Sequence, residues 1–288
     1  MCDICVMKSV KDRMLSRRSF FRVGAVAGAG AVLGAGLPKP AMAASHGGGG
    51  VVDMTHTYDE SFPTYFGVPG ISYDKGADFA KDGFNLYNLT VNEHTGTHVD
   101  APLHFSADGQ SVDEIPVDSL VCPLVKVDIA ARAAEDADAM VTPDDLKAWI
   151  AAHGEIPEGA CVAMDSGWSG KIGGDGFRNA DGDGVMHFPG FHVEAAQMLI
   201  EETGARAIAT DTLSLDPGNS ATFDAHYAWL PTNRYGIENL ANLGNVPASG
   251  ATLIVGAPKH ARGSGGPARI LAMPSCRMPG PRRRAAAS

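Results

Sequence analysis

The chain has 288 residues, 44% of them apolar, and a formal net charge of −10. That length suits one large domain or two small ones with a sizeable core. Residues 1–43 hold seven basic and two acidic side chains, so the remainder carries 16 basic against 31 acidic and a net charge of −15; such a body argues against nucleic acid or an anionic membrane as partner.

Residues 1–43 read as an export signal. Ser16-Arg17-Arg18-Ser19-Phe20-Phe21 is a twin-arginine pattern, residues 23–37 are a Gly/Ala-rich apolar run too short to span a bilayer, and Ala41-Met42-Ala43 is a small-residue cleavage site. The expectation is a periplasmic protein, exported by the twin-arginine pathway, with no stable membrane anchor after cleavage. Residues 44–50 read as a flexible junction and 276–288 as a basic, disordered tail. Between them, 51–275 reads as one domain without an internal repeat or linker.

Residues 51–55 read as the first strand and 59–76 as a loop rich in Pro, Gly and aromatics. Residues 84–92 alternate as a strand. A strand over 123–128 precedes a helix from Thr142 to about Ala152, which opens with a Thr cap, Pro143 at the first helical position, and acidic Asp144 and Asp145. A strand follows over 160–165, then a Gly/Asp-rich insertion at 170–184. Within it, Asn179-Ala180-Asp181-Gly182-Asp183-Gly184 resembles half of a calcium-binding EF-hand loop, but Gly190 stands where the bidentate Glu belongs, so a plain surface loop is the better reading. Residues 193–203 read as a helix closed by Gly204, and 207–210 as a short buried strand. Residues 219–235 read as irregular, 237–243 as a short helical or turn segment, and 251–256 and 268–272 as the last strands. Cys2 and Cys5 fall in the signal. Cys122, Cys161 and Cys276 are scattered and make no disulfide framework, and the first two read as small core residues. Strands outnumber helices and mix with them, which points to an α/β fold.

One stretch carries chemistry: His94-Thr95-Gly96-Thr97-His98-Val99-Asp100-Ala101-Pro102-Leu103-His104-Phe105. Imidazole nitrogen and carboxylate oxygen are ligands of zinc and manganese. His94, His98, Asp100 and His104 all have even numbers, so an extended backbone would turn them to one side. The Thr-Gly-Thr run and Pro102 speak against a helix. The segment reads as a strand end running into a tight loop. His94, His98 and Asp100 around one divalent ion leave room for water. Such an ion lowers the pKa of that water toward about 7, and the resulting hydroxide attacks carbonyls. His104 need not be a ligand, because an ordinary imidazole pKa near 6.5 suits a proton shuttle. Four aligned metal-capable residues outweigh the bland reading of unrelated surface or core histidines.

The pattern H-x-G-T-H-x-D-x-P-x-H-F resembles the signature of the cyclase family, which includes bacterial kynurenine formamidases and isatin hydrolases. The resemblance extends to Val52-Asp53-Met54-Thr55, Met164-Asp165-Ser166-Gly167-Trp168, Phe188-Pro189-Gly190-Phe191, Asp211-Thr212-Leu213-Ser214, Gly256-Ala257-Pro258 and Gly265-Gly266-Pro267-Ala268-Arg269. It implies a mixed sheet partly closed into a barrel with flanking helices, of the swivelling β/β/α type, and a catalytic domain over 51–275. It also implies a homodimer or larger homo-oligomer. The site it implies holds one or two divalent ions per subunit, Zn or Mn, with His94, His98 and Asp100 as ligands and His104 as proton donor or acceptor. His226 and Glu238, twelve residues apart and followed by Asn239-Leu240, would complete a two-metal centre, with Asp100 and Glu238 bridging.

The implied function is hydrolysis of an amide-type C–N bond (a formamide, lactam or cyclic imide) in a small aromatic substrate. The alternatives are a lactone or ester hydrolase, a cyclase or dehydratase, and a non-catalytic periplasmic metal- or ligand-binding protein. Four departures from the formamidases favour another amide, lactam or ester over N-formylkynurenine. Tyr65 in Pro63-Thr64-Tyr65 stands where they carry a substrate-contacting Trp. Ala225-His226-Tyr227 lacks their second His. The 170–184 insertion is long, and an export signal is foreign to intracellular tryptophan breakdown. Tyr65, Phe66, Trp168 and Trp229 are the aromatic candidates for a substrate wall, with Tyr65 foremost and core packing the alternative for each.

Overall fold

The computed structural model describes residues 50–275. The export signal, residues 44–49 of the junction, the basic tail, and Cys2, Cys5 and Cys276 lie outside the described residues. In chain order the elements are β1 (Val52–Asp53), β2 (Ile71–Ala77), α1 (Phe79–Asp82), β3 (Leu86–Val91), β4 (His98–Asp100), β5 (Val121–Asp128), α2 (Ala130–Glu135), β6 (Met140–Val141), α3 (Pro143–His153), β7 (Cys161–Asp165), β8 (Gly190–Phe191), α4 (Val193–Glu202), β9 (Ala207–Thr210), α5 (Asp224–Trp229), β10 (Tyr235–Glu238), β11 (Ala251–Gly256), β12 (Gly265–Pro267) and β13 (Arg269–Pro274), joined in places by short 3₁₀ turns.

Residues 72–90 belong to a unit of their own. Its β2 and β3 make a two-stranded sheet, with Tyr73 packed edge-on against Tyr87 at 6.3 Å and Asn88 donating to Asp74. Tyr73, Phe79, Leu86, Tyr87 and Leu89 are exposed. The strand at 71–77 corrects the loop expected over 59–76. Ser72, Asp74 and Gly76 carry turn chemistry, and the five residues between Ile71 and Ala77 are exposed, so burial left little alternation to detect.

The second unit holds a nine-stranded sheet in the order β1-β13-β11-β5-β7-β9-β10-β4-β12, curled into a half-barrel with helices outside. Strands β5, β7, β9 and β10 run parallel, and the flanking pairs run antiparallel. Alternate residues of the parallel strands serve two cores. Val125, Val127, Val162, Met164 and Ile208 meet the helices through Leu146, Trp149, Ala195, Leu199 and Trp229. Leu124, Cys161, Ala163, Ala207 and Ala209 join Met54, Val99, Ile237, Leu253 and Ile270 in a cluster to which no α-helix contributes. Buried on both faces, these strands read as continuous apolar runs, which is why 160–165 and 207–210 are visible in the sequence. Cys122 and Cys161 are free and buried, as expected.

Helix α3 starts as its residues dictate. The Thr142 hydroxyl and amide both reach the Asp145 carboxylate at 2.9 and 2.8 Å, closing a capping box. Helix α4 does not end on a left-handed Gly204, whose φ is not positive. Thr203 terminates it with its hydroxyl on the Leu199 carbonyl at 2.6 Å. Two further expectations are corrected. Residues 219–235 contain α5, and 237–243 begins with the end of β10 rather than a helical turn. Both errors have one cause. The cap of α5 is Asp216, eight residues before the helix begins, and β10 is made a strand by partners on both sides, so neither signal is local.

Candidate metal centre

The site begins with sheet register. On β4, Val99 points into the inner cluster, so His98 and Asp100 point to the opposite face. On β10, Ile237 does the same for Glu238, and Glu238 lies directly opposite His98. Asp100 is flanked across both ladders by glycines, Gly236 and Gly265. A β-carbon at Gly236 would stand 3.2 Å from Asp100 Oδ2, and one at Gly265 would stand 2.8 Å from His94 Cε1. The missing side chains make room for the cluster.

His94 and His104 enter from outside the strand. The expectation of one extended segment with its even-numbered residues on one side is corrected: only 98–100 is strand, His94 sits in the preceding bend, and His104 ends a 3₁₀ turn. Gly96 has φ +63° and turns the chain between the two histidines. Helix α5 supplies His226. Asp216 caps that helix, accepting from the Ala225 and His226 amides at 2.7 and 3.1 Å.

The imidazoles of His94, His98 and His226 are each bonded at the nitrogen facing away from the centre. His98 Nδ1 lies 2.9 Å from the Gly96 carbonyl, His226 Nδ1 lies 2.5 Å from Asp216 Oδ2, and His94 Nε2 lies 3.0 Å from the Ser264 hydroxyl. The other nitrogens converge. His98 Nε2 is 3.3 Å from both Asp100 Oδ1 and Glu238 Oε2. His226 Nε2 is 3.2 Å from Glu238 Oε1 and 3.7 Å from Asp100 Oδ2, while His94 Nδ1 is 2.7 Å from Asp100 Oδ1. His98, Asp100, His226 and Glu238 are all buried.

The electrostatics follow from burial. Burial alone would lower the His98 pKa, but Asp100 and Glu238 outweigh it and raise it to about 10. Burial would raise Asp100, yet His98, His226 and His94 hold it well below the ordinary carboxylate range. Burial is countered at His226 by Asp100, Asp216 and Glu238, which raise it well above its usual value. His104 differs: burial is the largest influence on it and pushes it down to about 4. Its ring stacks on that of His94 at 3.8 Å.

This donor set fits a divalent cation. Buried His98 Nε2 and Asp100 Oδ2 have no hydrogen-bond partner, an expensive arrangement for groups so deeply placed. Ligand atoms of His98, Asp100 and Glu238 lie within 4.8 Å of one another, as do those of His94, Asp100 and His104. The two groupings share Asp100.

The cluster opens into a cavity of about 520 Å³, lined by Tyr65, Phe66, Phe105, Leu213, Phe223 and the histidines. Tyr65 lies on the cavity wall, with its ring 5.6 Å from Phe223. Trp168 and Trp229 are not on the wall. Both are fully buried, with their indole N–H groups on the Phe177 and Tyr235 carbonyls. The 170–184 insertion has a structural part, because Arg178 donates to the Tyr65 carbonyl and steadies the first loop. Its Asp181 accepts from the Asp183 and Val185 amides, as a plain turn does. Asp216, Ser264 and Phe223 are not visible as site residues in the sequence, because Asp216 and Phe223 lie in the irregular approach to α5 with no motif of their own and Ser264 reaches His94 from 170 residues away.

A family model described as "Putative cyclase" matches residues 52–217. The isatin hydrolase of Roseibium aggregatum is 36% identical over 218 residues, covering 72% of this chain and 82% of the relative. The kynurenine formamidase of Salinibacter ruber is 32% identical over 190 residues, covering 65% and 79%. The solved structure of isatin hydrolase A from Labrenzia aggregata, bound to benzyl benzoate, superposes with a TM-score of 0.74 at 38% identity, covering 78% of this chain and 94% of that one.

Proposed function

The chain belongs to the cyclase family, and from that premise we propose that it is a metal-dependent amidohydrolase opening the C–N bond of a small aromatic lactam or cyclic imide. One observation carries this most: three histidines, each bonded at its outer nitrogen, converge on two buried carboxylates and leave His98 Nε2 and Asp100 Oδ2 without a hydrogen-bond partner. His94, His98, Asp100, His226 and Glu238 would hold one or two ions, Zn or Mn, and ligand atoms of His98, Asp100 and Glu238 lie within 4.8 Å of one another. A divalent ion there supplies Lewis-acid polarisation of a carbonyl and an acidified water.

The remaining steps belong to the chain. Burial keeps His104 neutral at pH 7, so it can accept a proton from the attacking water and return it to the leaving nitrogen. Tyr65, Phe105 and Phe223 present rings to a flat substrate and exclude bulk water from the cavity. A relative named for isatin, more similar to this chain than the formamidase, supports the lactam over the formamide. Side-by-side assays on isatin, N-formylkynurenine and simple lactones, with and without a chelator, test this. Chelator-sensitive opening of the lactam is expected. Turnover of lactones alone, or of none, overturns it.

We propose that residues 1–43 direct export by the twin-arginine pathway to the periplasm, supported by Arg17-Arg18, the apolar run and Ala41-Met42-Ala43. Lysine at both arginines should leave the protein in the cytoplasmic fraction. We also propose a homo-oligomer, in which a second copy covers exposed Tyr73, Leu86, Tyr87 and Leu89. A two-stranded sheet alone is marginal in water. Light scattering that returned a monomer mass would contradict it.

A further inference from the structure

His94 differs from the other two histidines in what holds it. His98 and His226 face a carbonyl and a carboxylate, which only accept, so their outer nitrogens must carry the proton. His94 Nε2 faces a hydroxyl, that of Ser264, and a hydroxyl donates as readily as it accepts. If Ser264 donated, the imidazole proton would move to Nδ1. It would then occupy the nitrogen that points at Asp100, 2.7 Å away.

Ser264 is not left the choice. Its hydroxyl lies 2.6 Å from Glu93 Oε2, and its amide donates to the same oxygen at 3.1 Å. A carboxylate only accepts, so the hydroxyl donates to Glu93 and the Ser264 lone pairs turn to His94. The other Glu93 oxygen, Oε1, is engaged by His260 Nε2 at 2.7 Å. Glu93 directly precedes His94, and Ser264 directly precedes β12, which pairs with β4 at Asp100. The bridge fits because glycines flank Ser264: a β-carbon at Gly263 would come within 2.8 Å of Glu93 Oε1, and one at Gly265 within 2.8 Å of His94 Cε1.

We propose that Glu93, acting through the Ser264 hydroxyl, sets the direction of the hydrogen bond at His94 and so keeps Nδ1 free of its proton for the ion. Both are positioning residues, and the proposal rests on the metal-binding reading above. The Glu93→Gln variant keeps the shape but brings an amide N–H that can donate to Ser264, letting the hydroxyl turn round.

The test measures affinity for Mn²⁺ and for Zn²⁺ by chelator competition, with metal-free melting as a folding control. Glu93→Gln and Ser264→Ala should each weaken binding about 10- to 100-fold, with little change in metal-free melting. Ser264→Thr, which keeps the hydroxyl, should restore most of it. Nitrogen-15 shifts of the unsubstituted protein give a readout independent of any variant, and His94 should carry its proton on Nε2 with metal bound. Binding by both variants within twofold of the parent, or a proton on Nδ1 of His94, overturns the proposal while leaving the hydrolase reading intact. A parent that binds neither ion overturns both.

Discussion

Replacing Gly96 with Ala tests how the turn and the cluster depend on each other. Gly96 has φ +63°, and a left-handed conformation costs an alanine about 1 kcal/mol. Its β-carbon would also lie 2.8 and 2.9 Å from two atoms of the Tyr58 ring, closer than such contacts allow, and overpacking of that kind costs about 1–3 kcal/mol. Together these give roughly 2–4 kcal/mol, or about 5–15 °C of melting temperature for a domain of this size. The damage should reach the site, because the Gly96 carbonyl accepts from both His98 Nδ1 and Asn239 Nδ2. Metal affinity should therefore fall about tenfold or more. Gly167→Ala is the control: it is left-handed too, with φ +70° and ψ +8°, but the added methyl meets only the Ala130 methyl at an ordinary 3.6 Å, so it should cost only about 1 kcal/mol and leave metal binding unchanged. Calorimetry and chelator competition on both variants decide the matter. If Gly96→Ala melts within about 2 °C of the parent and binds metal as tightly, the reasoning about this turn is wrong.

Other consequences follow from the same geometry. Glu238→Ala removes a carboxylate facing both His98 and His226, and elemental analysis should find less metal per chain; an unchanged content would exclude Glu238 from the site. Asp216→Asn takes the charge from the partner of His226 Nδ1, and metal affinity should drop about tenfold, measured by competition. Burial holds His104 near 4, so its proton resonances should show no titration midpoint between pH 8 and 5.5, and a midpoint near 6.5 would contradict the burial argument. The sign for stability follows: the unfolded imidazole protonates first, so this group draws stability from the fold only as pH falls from about 6.5 toward 4.

The sequence reveals the centre better than its surroundings. His94, His98, Asp100 and His104 are legible because a bend, a three-residue strand and a 3₁₀ turn in succession compress four metal-capable side chains into eleven residues. His226 and Glu238 are legible only through the resemblance, since one lies on a helix capped by Asp216 from the preceding loop and the other on a strand defined by its neighbours. The buried parallel strands announce themselves as apolar runs. Strand β2 does not, because it is exposed over most of its length. Trp168 and Trp229 illustrate the limit for aromatics: composition cannot separate a core indole from a cavity wall, and the fold buries both. Ser264 is the extreme case, contacting His94 from 170 residues away with nothing in its local sequence to mark it.

The central claim is that this cluster binds a divalent ion and that His104 moves the proton rather than holding the metal in place. The most direct measurement is metal content and lactam hydrolysis on the same samples of the parent and His104→Ala. Equal metal in both is expected, with a loss of turnover of roughly 100-fold or more in the variant. Loss of metal in the variant would make His104 a ligand, as its grouping with His94 and Asp100 allows. A parent with neither metal nor turnover would contradict the account altogether.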